Sequence, residues 1–131
     1  MIFIGIAAAT VGSFIASAIL YGSPPVSALL TETSTPRPGL SMALQMVSVL
    51  FRSLVVACLV AGLMAAASWY GPVSGALLGL SLASIPAVLL LGAVVHENTP
   101  VPAAAVHLLD WTIKLIIIGI TVGLFVSQQE A

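Results

Sequence analysis

Four long apolar runs, Ile2–Tyr21, Ser41–Trp69, Val73–Val95 and Val101–Val126, are separated by short polar breaks, and only Arg52, Asp110 and Lys114 carry a formal charge inside them. Each run supplies the roughly 20 residues a helix needs to cross a hydrocarbon core about 30 Å thick. The pattern predicts an all-α polytopic membrane protein: one transmembrane domain over residues 1–131, folded as an antiparallel bundle of four helices with spans near 2–21, 45–69, 73–95 and 103–126.

The breaks carry their own signals. The amino-terminal run has no basic segment ahead of it, so it is expected to be retained as a span and not removed as a signal peptide. Residues 22–39 form the one sizeable polar loop, where prolines and polar residues around Thr31-Glu32-Thr33-Ser34-Thr35-Pro36-Arg37-Pro38-Gly39 forbid a membrane helix, with a short interfacial turn at Pro25–Leu30. Tyr70-Gly71-Pro72 reads as a tight reversal with Pro72 in the first turn of the next helix. His96-Glu97-Asn98-Thr99-Pro100 reads as another, with Thr99 as N-cap.

Threading the chain through these reversals puts both termini on one side, A, and the 22–39 loop with the 96–100 turn on the other, B. Glu32, Arg37, His96 and Glu97 fall on side B, leaving Glu130 and the terminal groups on side A. By the positive-inside rule side B is cytoplasmic, an assignment resting mainly on Arg37. Trp69 and Tyr70 at one boundary, and Tyr21 and Trp111 near the other, fit aromatic belts.

Small residues recur at four-residue spacing. Gly71, Gly75, Gly79, Ala83 and Ala87 form a stripe on the third span, with shorter stripes at Gly5, Ala9, Ser13 and Ser17, at Ala57, Ala61 and Ala65, and at Gly119 and Gly123. In lipid, helices associate through close backbone approach and van der Waals contact, which such stripes permit. They serve packing within the bundle, against another protein or against a second copy. Pro86 removes a backbone donor near mid-span and is expected to bend the third helix.

Any chemistry must use the few ionisable groups at membrane depth. His107, Asp110, Trp111 and Lys114 fall at i, i+3, i+4 and i+7 on one face of the last helix, with Asp110 well placed to pair with Lys114. Arg52 enters the second span from side B to a comparable depth, so an Arg52–Asp110 ion pair is geometrically reasonable. Ionisable groups in lipid are costly unless paired or wetted, which makes this patch the candidate polar site. The plainer reading places His107 and Asp110 at the interface and lets Lys114 snorkel.

Composition narrows the function classes. A chain with 60% hydrophobic and 5% charged residues suits lipid, and its spans leave no room for a soluble catalytic domain. A net charge of −1, with Arg37, Arg52 and Lys114 its only strong bases, argues against nucleic acid. Cys58 is alone, is expected to pack as a small hydrophobe, and forms no disulfide within the chain. His96, Glu97, His107 and Asp110 lack ligand spacing for a metal, and no Ser-His-Asp order, Gly-rich phosphate loop or HExxH motif occurs. No cofactor, metal or enzymatic activity is expected. Tyr21-Gly22 followed by Pro25-Val26-Ser27, and Tyr70-Gly71 followed by Pro72-Val73-Ser74, form an internal echo that an inverted duplication or chance in a biased alphabet would give.

Leu20-Tyr21-Gly22-Ser23-Pro24, Gly75-Ala76-Leu77-Leu78-Gly79, the Glu97 and proline turn, and Gly119-Ile120-Thr121-Val122-Gly123-Leu124-Phe125 together give a resemblance. Over most of its length the chain resembles a bacterial family of small four-span membrane proteins of unknown function. The resemblance implies a fold and no activity. The expected role is a non-enzymatic protein of the bacterial cytoplasmic membrane, an accessory subunit of a larger assembly or a self-associating bundle. The rival is a minimal proton- or ion-coupled permease using Arg52, His107, Asp110 and Lys114.

Overall fold

The computed structural model describes residues 1–34 and 36–126; Glu130, placed above on side A, lies outside the described residues. Six helices follow one another: α1 (Ile2–Gly22), α2 (Pro24–Thr33), α3 (Met42–Ala66), α4 (Pro72–Leu82), α5 (Ser84–His96) and α6 (Val101–Phe125). With α4 and α5 taken as one interrupted rod, four helical segments are long and apolar enough to cross a membrane. The described residues contain no strand.

The polar loop expected over 22–39 is helical in its first half. Pro24 and Pro25 occupy the first turn of α2, where a missing N–H costs nothing and the fixed φ suits a helix. Prolines read as breakers are therefore a start signal here. At ten residues, α2 remains too short to span a bilayer.

Local chemistry fixes the other ends. The Ser41 hydroxyl accepts from the Leu44 amide at 3.2 Å and caps α3. That helix runs from Met42 to Ala66, shifted toward the amino terminus from the expected 45–69, so Trp69 lies beyond it in the connection. Ser68 holds φ at 54° while the Trp69 amide donates to the Met64 carbonyl at 2.9 Å, a left-handed stop of the kind glycine usually makes. Pro72 opens α4 as expected, whereas the N-cap of α6 is Pro100 and not Thr99.

The third span breaks at Ala83, three residues before Pro86. Proline cannot donate to the Leu82 carbonyl, and its ring crowds that turn, so the ladder lapses there and resumes as α5.

α6 is the hub, packing against α4, α1, α3 and α5, and its antiparallel seam with α4 is the closest. A Cβ on Gly75 would overlap the Gly119 carbonyl, one on Gly79 the Leu115 carbonyl, and one on Gly123 the Gly71 carbonyl. The stripe of Gly71, Gly75 and Gly79 thus meets that of Gly119 and Gly123 backbone to backbone within one chain. At the same end, a Cβ on Gly5 would come 2.8 Å from Phe125 Cβ, which brings the start of α1 beside the end of α6. Ala83 is buried at the break. Cys58, expected to pack inside, is exposed on the outer face of α3.

The core is correspondingly small-sided: Ala9, Ala57, Val60, Met64, Ile118 and Val122 are fully buried where α1, α3 and α6 meet. α5 contributes no buried residue.

Candidate functional site

The antiparallel seam of α1 and α6 carries the polar groups. Asp110 lies on the buried face of α6, and its Oδ1 accepts from the Ser17 hydroxyl at 2.6 Å, a short charge-assisted bond. One turn on, Lys114 sets its ammonium 3.4 Å from Asp110 Oδ2 and 5.0 Å from the centre of the Trp111 ring. A lysine only 2% exposed is thus held by one carboxylate and one aromatic face.

One turn the other way along α6, His107 Nδ1 is hydrogen-bonded to the Tyr21 hydroxyl at 2.9 Å, with the two rings tilted at 47°. Ser17 and Tyr21 of α1 therefore pair with Asp110 and His107 of α6, each pair one helical turn from the other. The remaining buried hydroxyls of α1 turn inward to their own helix: Thr10 donates to the Ile6 carbonyl and Ser13 to the Thr10 carbonyl.

His107, Asp110 and Lys114 thus share a face, and Asp110 pairs with Lys114. The Arg52–Asp110 ion pair is not formed. Asp110 spends its oxygens on Ser17 and Lys114, and Arg52 makes no ion pair among the described residues. Instead Arg52 lines a cavity of about 1000 Å³ at the Tyr21 end of the bundle, together with Tyr21, His107, Ser48 and the α2 residues Ser27 and Thr31. Next to it on α3, the Ser53 hydroxyl is buried with no hydrogen-bond partner.

Two aromatic residues read as interfacial belts, Tyr21 and Trp111, also contact the groups of this site. Ser17 and Tyr21 were its missing members. Their signal in the sequence was that Tyr21 continues, at the same four-residue spacing, the stripe Gly5, Ala9, Ser13 and Ser17, while the register of the helix it meets was not legible.

The polar series Arg52, Tyr21, His107, Asp110 and Lys114 meets a cavity at its Arg52, Tyr21 and His107 end. Beyond Lys114 the α4–α6 seam is closed by glycine backbone and the α1–α6 seam by Ile117 and Phe125 against Gly12 and Gly5. Among the described residues no group of three or more His, Cys, Asp or Glu is placed to hold a metal ion. Charges that can bind an anion or hold a proton are present.

A family model described as "Protein of unknown function (DUF1761)" matches residues 4–123. No curated protein and no solved structure matches the chain.

Proposed function

Since the chain belongs to the DUF1761 family of proteins of unknown function, we propose its role from its own residues: an integral membrane protein without enzymatic activity, acting as an accessory subunit of a larger membrane assembly or as a self-associating bundle. We place it in a bacterial cytoplasmic membrane with both termini on one side and with the bilayer and a membrane protein, or a second copy, as partners.

The observation that carries this reading is the division of labour between the two halves of the third span. α4 is spent on α6, where its glycines meet backbone. α5 buries nothing, and with α4 it presents an outward row of Val73, Leu77, Leu80, Val88, Leu91 and Val95, every one more than half exposed. Within each half, 73–77–80 on α4 and 88–91–95 on α5, the steps are three and four residues, the spacing at which one helix seats along another. Because the glycines of α4 are consumed inside the chain, partner docking falls to this larger-sided row.

Mass measurement of the assembly extracted in a mild detergent tests the proposal. A defined complex or dimer is expected, and Leu77→Trp with Leu91→Trp should dissociate it while leaving helicity unchanged. A wild-type chain that is monomeric in both detergent and lipid discs would overturn it.

The second reading, a proton- or ion-coupled permease, is favoured by the succession of the Tyr21–His107 pair at the cavity and, one turn deeper, the buried Asp110–Lys114 pair. It calls for a second copy to complete a path, because beyond Lys114 the seams of α6 with α4 and α1 are filled by backbone and apolar side chains. Asp110→Asn should then abolish coupled flux in liposomes, and an absence of flux from the wild type removes the reading.

A further inference from the structure

The charges inside the four spans do not balance. Arg52 and Lys114 face one carboxylate, Asp110, which leaves one positive charge in excess at membrane depth. Lys114 is the member already held by Asp110, so the excess resides on Arg52. A guanidinium in such a place calls for an anion, and its planar fork suits a phosphate.

Arg52 sits where two cavities approach each other. The wider one sets Arg52, His107, Ser48 and Gln45 among apolar residues such as Leu30, Leu44 and Val49. The second, an apolar groove of about 340 Å³, lies deeper between α3, α5 and α6 and is lined by Val56, Leu59, Leu89, Trp111 and Leu115. On α3 the step from Arg52 to Val56 is one turn along one face, and on α6 the step from His107 to Trp111 is the same. α3 and α6 run parallel in the bundle, so both steps descend together. The cavity at Arg52 and the apolar groove therefore follow one another along α3 and α6, the form of an amphiphile with an anionic head.

We infer that the seam between α3 and α6 binds one anionic phospholipid, its phosphate on Arg52 in the wider cavity and an acyl chain in the groove along Val56, Leu59 and Trp111. The phosphate supplies the missing negative charge, and the hydroxyls of Ser27, Thr31 and Ser48 face the rest of the headgroup. α5, which follows the break at Ala83, forms the far wall of the groove with Ile85, Pro86 and Leu89.

The purified full-length chain, mixed in mild detergent with dioleoyl-phosphatidylglycerol or dioleoyl-phosphatidylcholine, can be read by native mass spectrometry for lipid retained per chain. One phosphatidylglycerol should be kept about tenfold more strongly than phosphatidylcholine, because the choline cation offsets the charge of its own phosphate and leaves the excess on Arg52 uncompensated. Arg52→Gln should bring the two lipids level, and Arg52→Lys should keep part of the preference. Leu59→Trp, which fills the groove without touching the charge, should lower retention of both lipids.

Equal retention of the two lipids by the wild type, or an unchanged preference in Arg52→Gln, overturns the inference. So does competition by glycerol phosphate as strong as that by the intact lipid, which would mean the groove is unused, or tighter retention of oleate, which would mean the site takes a carboxylate. Should Arg52→Gln fail to fold, Arg52→Lys and Leu59→Trp still decide the matter, because neither removes the positive charge.

Discussion

The Ser17 hydroxyl donates to the Asp110 carboxylate over 2.6 Å, joining two helices whose residues stand 93 positions apart in the chain. That bond fixes the register of α1 on α6, and the pair one turn away, Tyr21 with His107, repeats it. Because the other carboxylate oxygen faces Lys114, Asp110 is the single acceptor on which a hydroxyl and an ammonium converge.

Removing Asp110 alone should therefore be costly. Asp110→Ala leaves Lys114 buried without a counter-charge, a loss of about 3–5 kcal/mol where one partner of a buried pair is deleted. Adding Lys114→Met should recover much of that loss, because no unpaired charge then remains. Thermal unfolding in lipid discs measures both. Costs that simply add would show that the two groups do not act as a pair.

The glycines divide into two classes that a substitution series can separate. Gly75→Ala drives a methyl into the Gly119 carbonyl and must push α4 off α6, for a cost of at least about 1–3 kcal/mol. Gly62→Ala and Gly92→Ala meet open space, so each should be neutral or stabilising by up to about 1 kcal/mol through helix propensity. Equal effects of Gly75→Ala and Gly62→Ala on the unfolding midpoint would contradict the seam described above.

Ser53 makes the opposite prediction from Ser17. Its hydroxyl is buried and unpaired, so Ser53→Ala removes a desolvated group without leaving a partner behind, and the midpoint should stay level or rise by about 1 kcal/mol. Ser17→Ala strands one oxygen of a carboxylate and should lower it. A marked loss in Ser53→Ala would mean that its hydroxyl binds something in the working protein.

The four spans and the shared face of His107, Asp110 and Lys114 were legible in the sequence because each depends on spacing within one helix. What crosses between helices was not. Arg52 and Asp110 stand at similar depth, yet depth carries no azimuth, and α3 turns Arg52 into the wider cavity while α1 delivers Ser17 to Asp110. The prolines at 24 and 25 were ambiguous because proline both ends and begins helices, and only the chain after Pro25 shows which. That Tyr21 and Trp111 also meet polar groups was not legible, since those partners lie on a neighbouring helix or one turn away.

Cys58 offers a test of the solvent itself. It is the sole thiol, it lies on the outer face of α3, and it stands eight residues before Ala66, roughly 12 Å along the helix axis. If acyl chains surround that face, the thiol is near the surface of the protein and yet remote from water, where a water-borne reagent does not reach. A membrane-impermeant maleimide should leave it unmodified in intact vesicles and label it fully once the protein is unfolded in denaturant. A cysteine introduced at Ser34, beside the wider cavity, should label in vesicles whose Tyr21 end faces outward. Rapid labelling of Cys58 in intact vesicles would put water against the middle of α3, and the outward apolar residues of that helix would then need a protein partner and not lipid to cover them.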